Sequence, residues 1–319
     1  MKLYVIGNGF DIHHGLNTRY STFGLFLKNR YSEIYDLLLE HYGFVDLDPD
    51  DEETLWDPLW SEFEKNLSLL DTQTVMEAHE DSLAVPSSDE FRDRDWGAFQ
   101  IDMEMILEQL TVGLYKAFKE FILAVEFPPF DINKEVNLDR DAKYLTFNYT
   151  DTLANYYAIP ECNVLFIHEK AEENDVELVL GHGVDPANFE DKPERPPEGL
   201  TDEELEDWRQ YMADQYDYSY ELGKETINRY FTNTFKGTDV IIERNEQFFS
   251  YLEDIDEVII IGHSLAEVDL PYFKHIAKSV KPNTRWIATY YSDKEKSSHF
   301  NTLTDMGVKN ISVVKIEDI

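Results

Sequence analysis

Four short stretches of the chain carry residue types able to do chemistry, and each directly follows an apolar run. They are Gly7-Asn8-Gly9, Asn148-Tyr149-Thr150-Asp151, His168 and Gly262-His263-Ser264. An asparagine amide can orient a water or hydroxyl, and a histidine exchanges a proton near neutral pH. Glycine lets a ligand rest directly on main-chain N–H groups. Each feature also has a purely structural reading: Asn8 and Asn148 as helix caps, His168 as a core histidine, the glycines as a tight turn. Their coincidence points to function, because in an open parallel sheet the carboxyl ends of the strands face one crevice where ligands bind. The dinucleotide fingerprint is incomplete, since Asp11-Ile12 stand where a third glycine belongs. His182, behind another apolar run, is the alternative functional histidine, and His13 and His14 read as structural. No metal-ligand cluster is read from the spacing.

The elements that must position these residues follow from periodicity. Leu3–Ile6 and Val258–Ile261 are short apolar runs of the kind buried in parallel sheets, and 143–147, 163–167, 176–180, 285–291 and 311–316 are further predicted strands. Helical spacing covers Thr18 to Tyr42, a segment begun near Pro58, and Asp95 to Val125. Thr201-Asp-Glu-Glu reads as a helix start. The expected architecture is an α/β, Rossmann-like, mainly parallel sheet with helices on both faces and a large helical insertion. Residues 1–19 and 129–319 form its core, 20–128 the helical insertion, and 185–235 a second, charged helical insert. At least one insert is expected to cover the crevice as a lid.

Composition narrows the function classes. The 319 residues carry 65 acidic against 28 basic side chains, a net charge of −37. That field repels polyanions, so neither nucleic acid nor an anionic membrane is an expected partner. The single cysteine, Cys162, forms no internal disulfide and builds no cysteine zinc site. The apolar runs are too short for a membrane span and the start lacks a signal-peptide pattern, so a cytoplasmic protein is expected.

Longer motifs resemble a known family. Ile6-Gly-Asn-Gly-Phe-Asp-Ile-His-His-Gly-Leu-Asn-Thr-Arg-Tyr-Ser-Thr-Phe23, Trp60-Ser-Glu-Phe-Glu64, Phe147-Asn-Tyr-Thr-Asp-Thr-Leu153, Leu180-Gly-His-Gly183 and Ile261-Gly-His-Ser-Leu-Ala-Glu-Val-Asp-Leu-Pro-Tyr-Phe273 are similar, in this order, to the AbiH-like bacteriophage abortive-infection proteins. One departure stands out: the family pattern has glycine after the middle-strand histidine, whereas Glu169 follows His168 here. A more distant similarity is to sirtuins and bacterial SIR2-like NADases, through Gly7-Asn8-Gly9, Thr146-Phe-Asn-Tyr-Thr150, His168 and Gly262-His-Ser-Leu265. Thr150 and His263 depart from that second pattern.

This likeness implies that Gly7, Asn8, Gly9, Phe10 and Asp11, with Gly262, His263, Ser264 and Leu265, hold NAD. It implies that Asn148 and His168 lie nearest the nicotinamide–ribose bond. Breaking that bond develops positive charge on the sugar. Asn148 would orient the water, His168 would accept a proton, and Asp151 or Glu64 would stabilise the cationic sugar. Capping and solvated-face roles are the alternatives for those two carboxylates. The expected function is therefore a phage-defence effector that binds a nucleotide and hydrolyses NAD. The alternative is a non-catalytic nucleotide sensor or partner-binding module in the same role. A phage-derived trigger and self-association are compatible with either.

Overall fold

The computed structural model describes residues 1–192 and 195–319, so positions 193 and 194 of the second insert lie outside the described residues. Six parallel strands form one sheet: β1 (Lys2–Ile6), β2 (Lys143–Thr146), β3 (Val164–Phe166), β4 (Glu257–Ile261), β5 (Arg285–Tyr290) and β6 (Asn310–Lys315). Their spatial order is β3-β2-β1-β4-β5-β6, that of doubly wound dinucleotide-binding sheets, so the fold is Rossmann-like. The strand order reverses between β1 and β4, where Ile6 lies opposite Ile261. Two glycine turns therefore leave the sheet side by side.

Strand periodicity explains how the sheet is covered. Leu3, Val5, Val258 and Ile260 point to one face, where the helix Leu270–Ser279 supplies Tyr272, Phe273 and Ile276. Tyr4, Ile6, Ile259 and Ile261 point to the other, against Phe10, Leu153 and Tyr157. A third buried cluster belongs to the inserts. Trp60, Phe63, Phe99 and Phe118 from residues 20–128 pack with Ile227 and Tyr230 of the helix Tyr218–Asn233. At Gly223 an added Cβ would come within 2.3 Å of the Phe99 ring, so the glycine sets that close helix contact.

Some sequence expectations need correction. Val176–Leu180 is extended but joins no ladder. Its Val179 N–H bonds only His168 O, and Leu178 and Leu180 turn into the helical core. Thr18 to Tyr42 is two helices, Tyr20–Arg30 and Ser32–Tyr42. The chain breaks at Tyr31, whose ψ of 52° leaves the helical region. The long helix from Ala98 to Leu123 contains a π-helical turn at Gln109–Gly113. The Thr201 helix start is a full capping box with Glu204. Among the described residues no helix is long and apolar enough to cross a membrane.

Candidate functional site

The two glycine turns at the switch point lock into one another. Gly7 N–H donates to Ile261 O and Gly9 N–H to Gly262 O at 2.7 Å. A Cβ on Gly7 would lie 2.6 Å from His263 Cα, and one on Gly262 would lie 2.2 Å from Phe10 N. The glycines thus serve close approach of two backbones, and Gly262 also needs its φ of +65°. Asn8 pins the start of the first insert: its Nδ2 donates to Thr18 O, and Thr18 Oγ1 donates to its Oδ1 at 2.6 Å. Phe10 is fully buried beneath this turn, against His14 and Tyr157.

Beside this turn the segment that follows β2 contributes a buried polar group. Asp11 is 1% exposed, and its Oδ2 accepts from Thr150 Oγ1 at 2.5 Å. Thr152 and Asn148 stand around the same carboxyl. Asp11 Oδ1 and both polar atoms of the Asn148 amide are buried without a partner. Buried amides are rarely left unpaired, which sets this group apart from the surrounding core. Burial pushes the Asp11 carboxyl up to about 6, against the opposing influence of the nearby Thr150, Thr152 and Asn148. It is poised to exchange a proton near neutral pH.

A second cluster is built at the ends of β3 and β4. His168 is buried between the rings of Phe147, Tyr149 and Tyr272, with its Nε2 3.7 Å from Asp269 Oδ1. His263 lies edge-on to the same Phe147 ring, at 4.3 Å between centroids. Its Nδ1 accepts from Leu265 N–H at 2.9 Å, which assigns the proton to Nε2, 3.4 Å from Asp269 Oδ2. Leu265 makes that bond from a left-handed φ of 55°, a strained conformation for a leucine. Glu169 likewise sits at φ 66°, which accounts for the glycine the family pattern has there.

Glu64 of the first insert and Lys236, directly after the second, close over Asp269. Lys236, enclosed completely, pairs with Asp269 Oδ1 at 3.3 Å and with Glu64, which also accepts from Tyr20 Oη. Leu180-Gly-His-Gly183 explains how a lysine reaches so deep. His182 N–H bonds Thr234 O, and Lys236 N–H bonds His182 O at 2.8 Å. A Cβ on Gly181 would lie 2.2 Å from Thr234 O, so only glycine admits this strand of chain. His182 itself is enclosed by Phe189, Phe231 and Phe235 and acts as scaffold for Lys236.

The protonation pattern follows from burial and charge. Burial would push Asp269 up, but the Lys236 ammonium, and after it the hydrogen bond from His263, hold it well below the usual carboxylate range. Burial would lower Lys236, yet Asp269 and Glu64 keep it raised and charged. Glu64 is raised because its burial outweighs the pull of a lysine shared with Asp269. His168 is driven well below its ordinary value by burial and then by Lys236, so it stays neutral.

The structure brings together Asn148 with Asp11, and His168 with His263 and Asp269, but no hydrogen bond or ion pair joins Asn148 to His168. Asp151 stands apart, half-buried and 3.2 Å from Lys170. Ser264 is exposed. Lys236 and Asp269 were not legible as site residues. Asp269 lies inside a motif quoted above, whereas a lone lysine between Phe235 and Gly237 carries no pattern. Among curated proteins nothing matches the chain. The family model described as "Bacteriophage abortive infection AbiH" matches residues 3–290, nearly the whole chain, and with it all the residues of both clusters. The chain belongs to the AbiH family of bacteriophage abortive-infection proteins.

Proposed function

We propose that the chain, in its abortive-infection role, binds NAD at the carboxyl edge between β1 and β4 and hydrolyses the nicotinamide–ribose bond. The observation that supports this most is the buried, unpaired Asn148 amide past the end of β2, beside Asp11 of the helix that follows β1, on the carboxyl edge of a dinucleotide-type sheet. Asn148 orients the attacking water through its free amide. Asp11, with a carboxyl near 6, accepts the proton that water gives up. The C1′–N bond breaks, nicotinamide leaves, and the closed edge excludes bulk water from the positive charge developing on the sugar. His168 stays neutral beside Asp269 and shapes the edge; proton transfer falls to Asp11. The Gly7 and Gly9 amides are committed to the carbonyls of Ile261 and Gly262, so other groups hold the phosphates.

The enclosure of Asn148 and Asp11 also fits a second reading, a sensor that binds a nucleotide without cleaving it. Wild type and Asn148→Ala are incubated with NAD, with and without phage lysate, and free nicotinamide and bound nucleotide are quantified. Hydrolysis predicts release by wild type and a loss of roughly a hundredfold or more in the variant. Binding without release would establish the sensor, and neither binding nor release would remove NAD from the account.

A further inference from the structure

The two halves of this molecule are held together differently from within themselves. Both apolar clusters of the sheet are built without a single residue from 20–128. The helical layer has its own core, in which that insert and the helix Tyr218–Asn233 pack together. Apolar contact across the seam comes from residues just past the strand ends, such as Tyr149 against Phe118 at 5.0 Å. Leu178 and Leu180 also pack among the helices, and beside these apolar contacts the seam holds a buried ionic cluster. Glu64 reaches it from the first insert, Lys236 from just past the second, and Asp269 from the sheet side. The same chain of contacts runs on toward the glycine turn, from Glu64 to Tyr20 and from neighbouring Thr18 to Asn8.

Two bodies with separate cores and a partly polar seam move against each other more readily than either deforms. A shared buried charge fixes one arrangement strongly without adding much net stability, because desolvation offsets the attraction. We propose that the helical layer opens as a unit from the carboxyl edge of the sheet, and that Lys236 is the clasp that holds it shut. Opening of this kind would uncover the carboxyl edge beneath Glu64, Lys236 and Asp269. The inference concerns the closure alone and does not depend on NAD being what enters.

Hydrogen exchange of the full chain, read by mass spectrometry, tests it through cross-talk between segments distant in sequence. Glu64→Gln alters only the first insert, yet it should speed exchange tenfold or more at 180–184 and 232–238, and at 147–152 beneath the seam. Amides of β1 and β4 and of the interior of helix Ala98–Glu108 should keep their rates. Lys236→Met should give the same pattern with a larger factor. Should that variant not fold, Glu64→Gln carries the test, since its amide can still bond Lys236 and Tyr20. Unchanged exchange in Glu64→Gln, acceleration confined to the surroundings of residue 64, or the same factor throughout the sheet would each overturn the clasp.

Discussion

Asp11 should make the protein less stable as pH rises, and Asp11→Asn should remove that loss. In the fold its carboxyl is raised from 3.8 to about 6. Below pH 3.8 it is protonated in folded and unfolded chains alike and has no effect. Between the two values the unfolded chain ionises first, so it binds fewer protons and stability falls. Above pH 6 the loss is complete. A difference of roughly two units at 1.36 kcal/mol each gives about 3 kcal/mol. The group is almost wholly enclosed, so solvent screening does not reduce this figure materially. Asparagine fits the site: its oxygen can accept from Thr150, and its amide has the unpaired Asn148 oxygen as an acceptor. Urea unfolding of wild type and Asp11→Asn from pH 3.5 to 8 isolates the term, because other carboxylates cancel in the difference. The variant should gain up to about 3 kcal/mol over wild type across that interval. A difference that does not change with pH, or a variant that falls behind at pH 8, would refute the reasoning. The same substitution should abolish nicotinamide release, the trade expected of a carboxylate held at a stability penalty for its chemistry.

Two further substitutions test the backbone geometry. Gly181→Ala should destabilise by about 3 kcal/mol in chemical denaturation, because its Cβ meets the backbone oxygen of Thr234 and no side chain can yield. Glu169→Gly should stabilise by about 0.5–1 kcal/mol: it relieves a left-handed conformation worth roughly 1–2 kcal/mol and gives back part of that as glycine's chain entropy. A neutral or destabilising result there would show that the Glu169 side chain contributes something beyond its backbone.

The parts of this fold that could be read from the chain are those with local causes. Leu3–Ile6 and Val258–Ile261 are apolar because they are central strands covered on both faces, and Thr201 with Glu204 is a capping box in the fold as in the pattern. Val176–Leu180 misled for a physical reason: alternating burial marks any extended segment with one covered side, whether or not a ladder forms. Asn148 and Asp11 could be marked as candidates because they follow strands, but their pairing through Thr150 depends on β2 lying next to β1. Lys236 was out of reach altogether. Its burial results from an absent Cβ at Gly181, some fifty positions earlier, and no local pattern encodes that contact.

The position of β1 also has a consequence for synthesis. It is made before the other five strands of the sheet and is a central one, yet Lys2 pairs with Glu257 on one side and Leu3 with Lys143 on the other. At about 5–20 residues per second, the strand waits on the order of 10–50 s for its second neighbour. The helical layer has more of its partners close in sequence, so much of it can condense while β1 is still unpaired. Asp11 emerges early, Asn148 midway, and His263 and Asp269 only in the last fifth of the chain. On a translating ribosome the carboxyl edge therefore stays incomplete until β4 and the segment that follows it, through Asp269, have emerged.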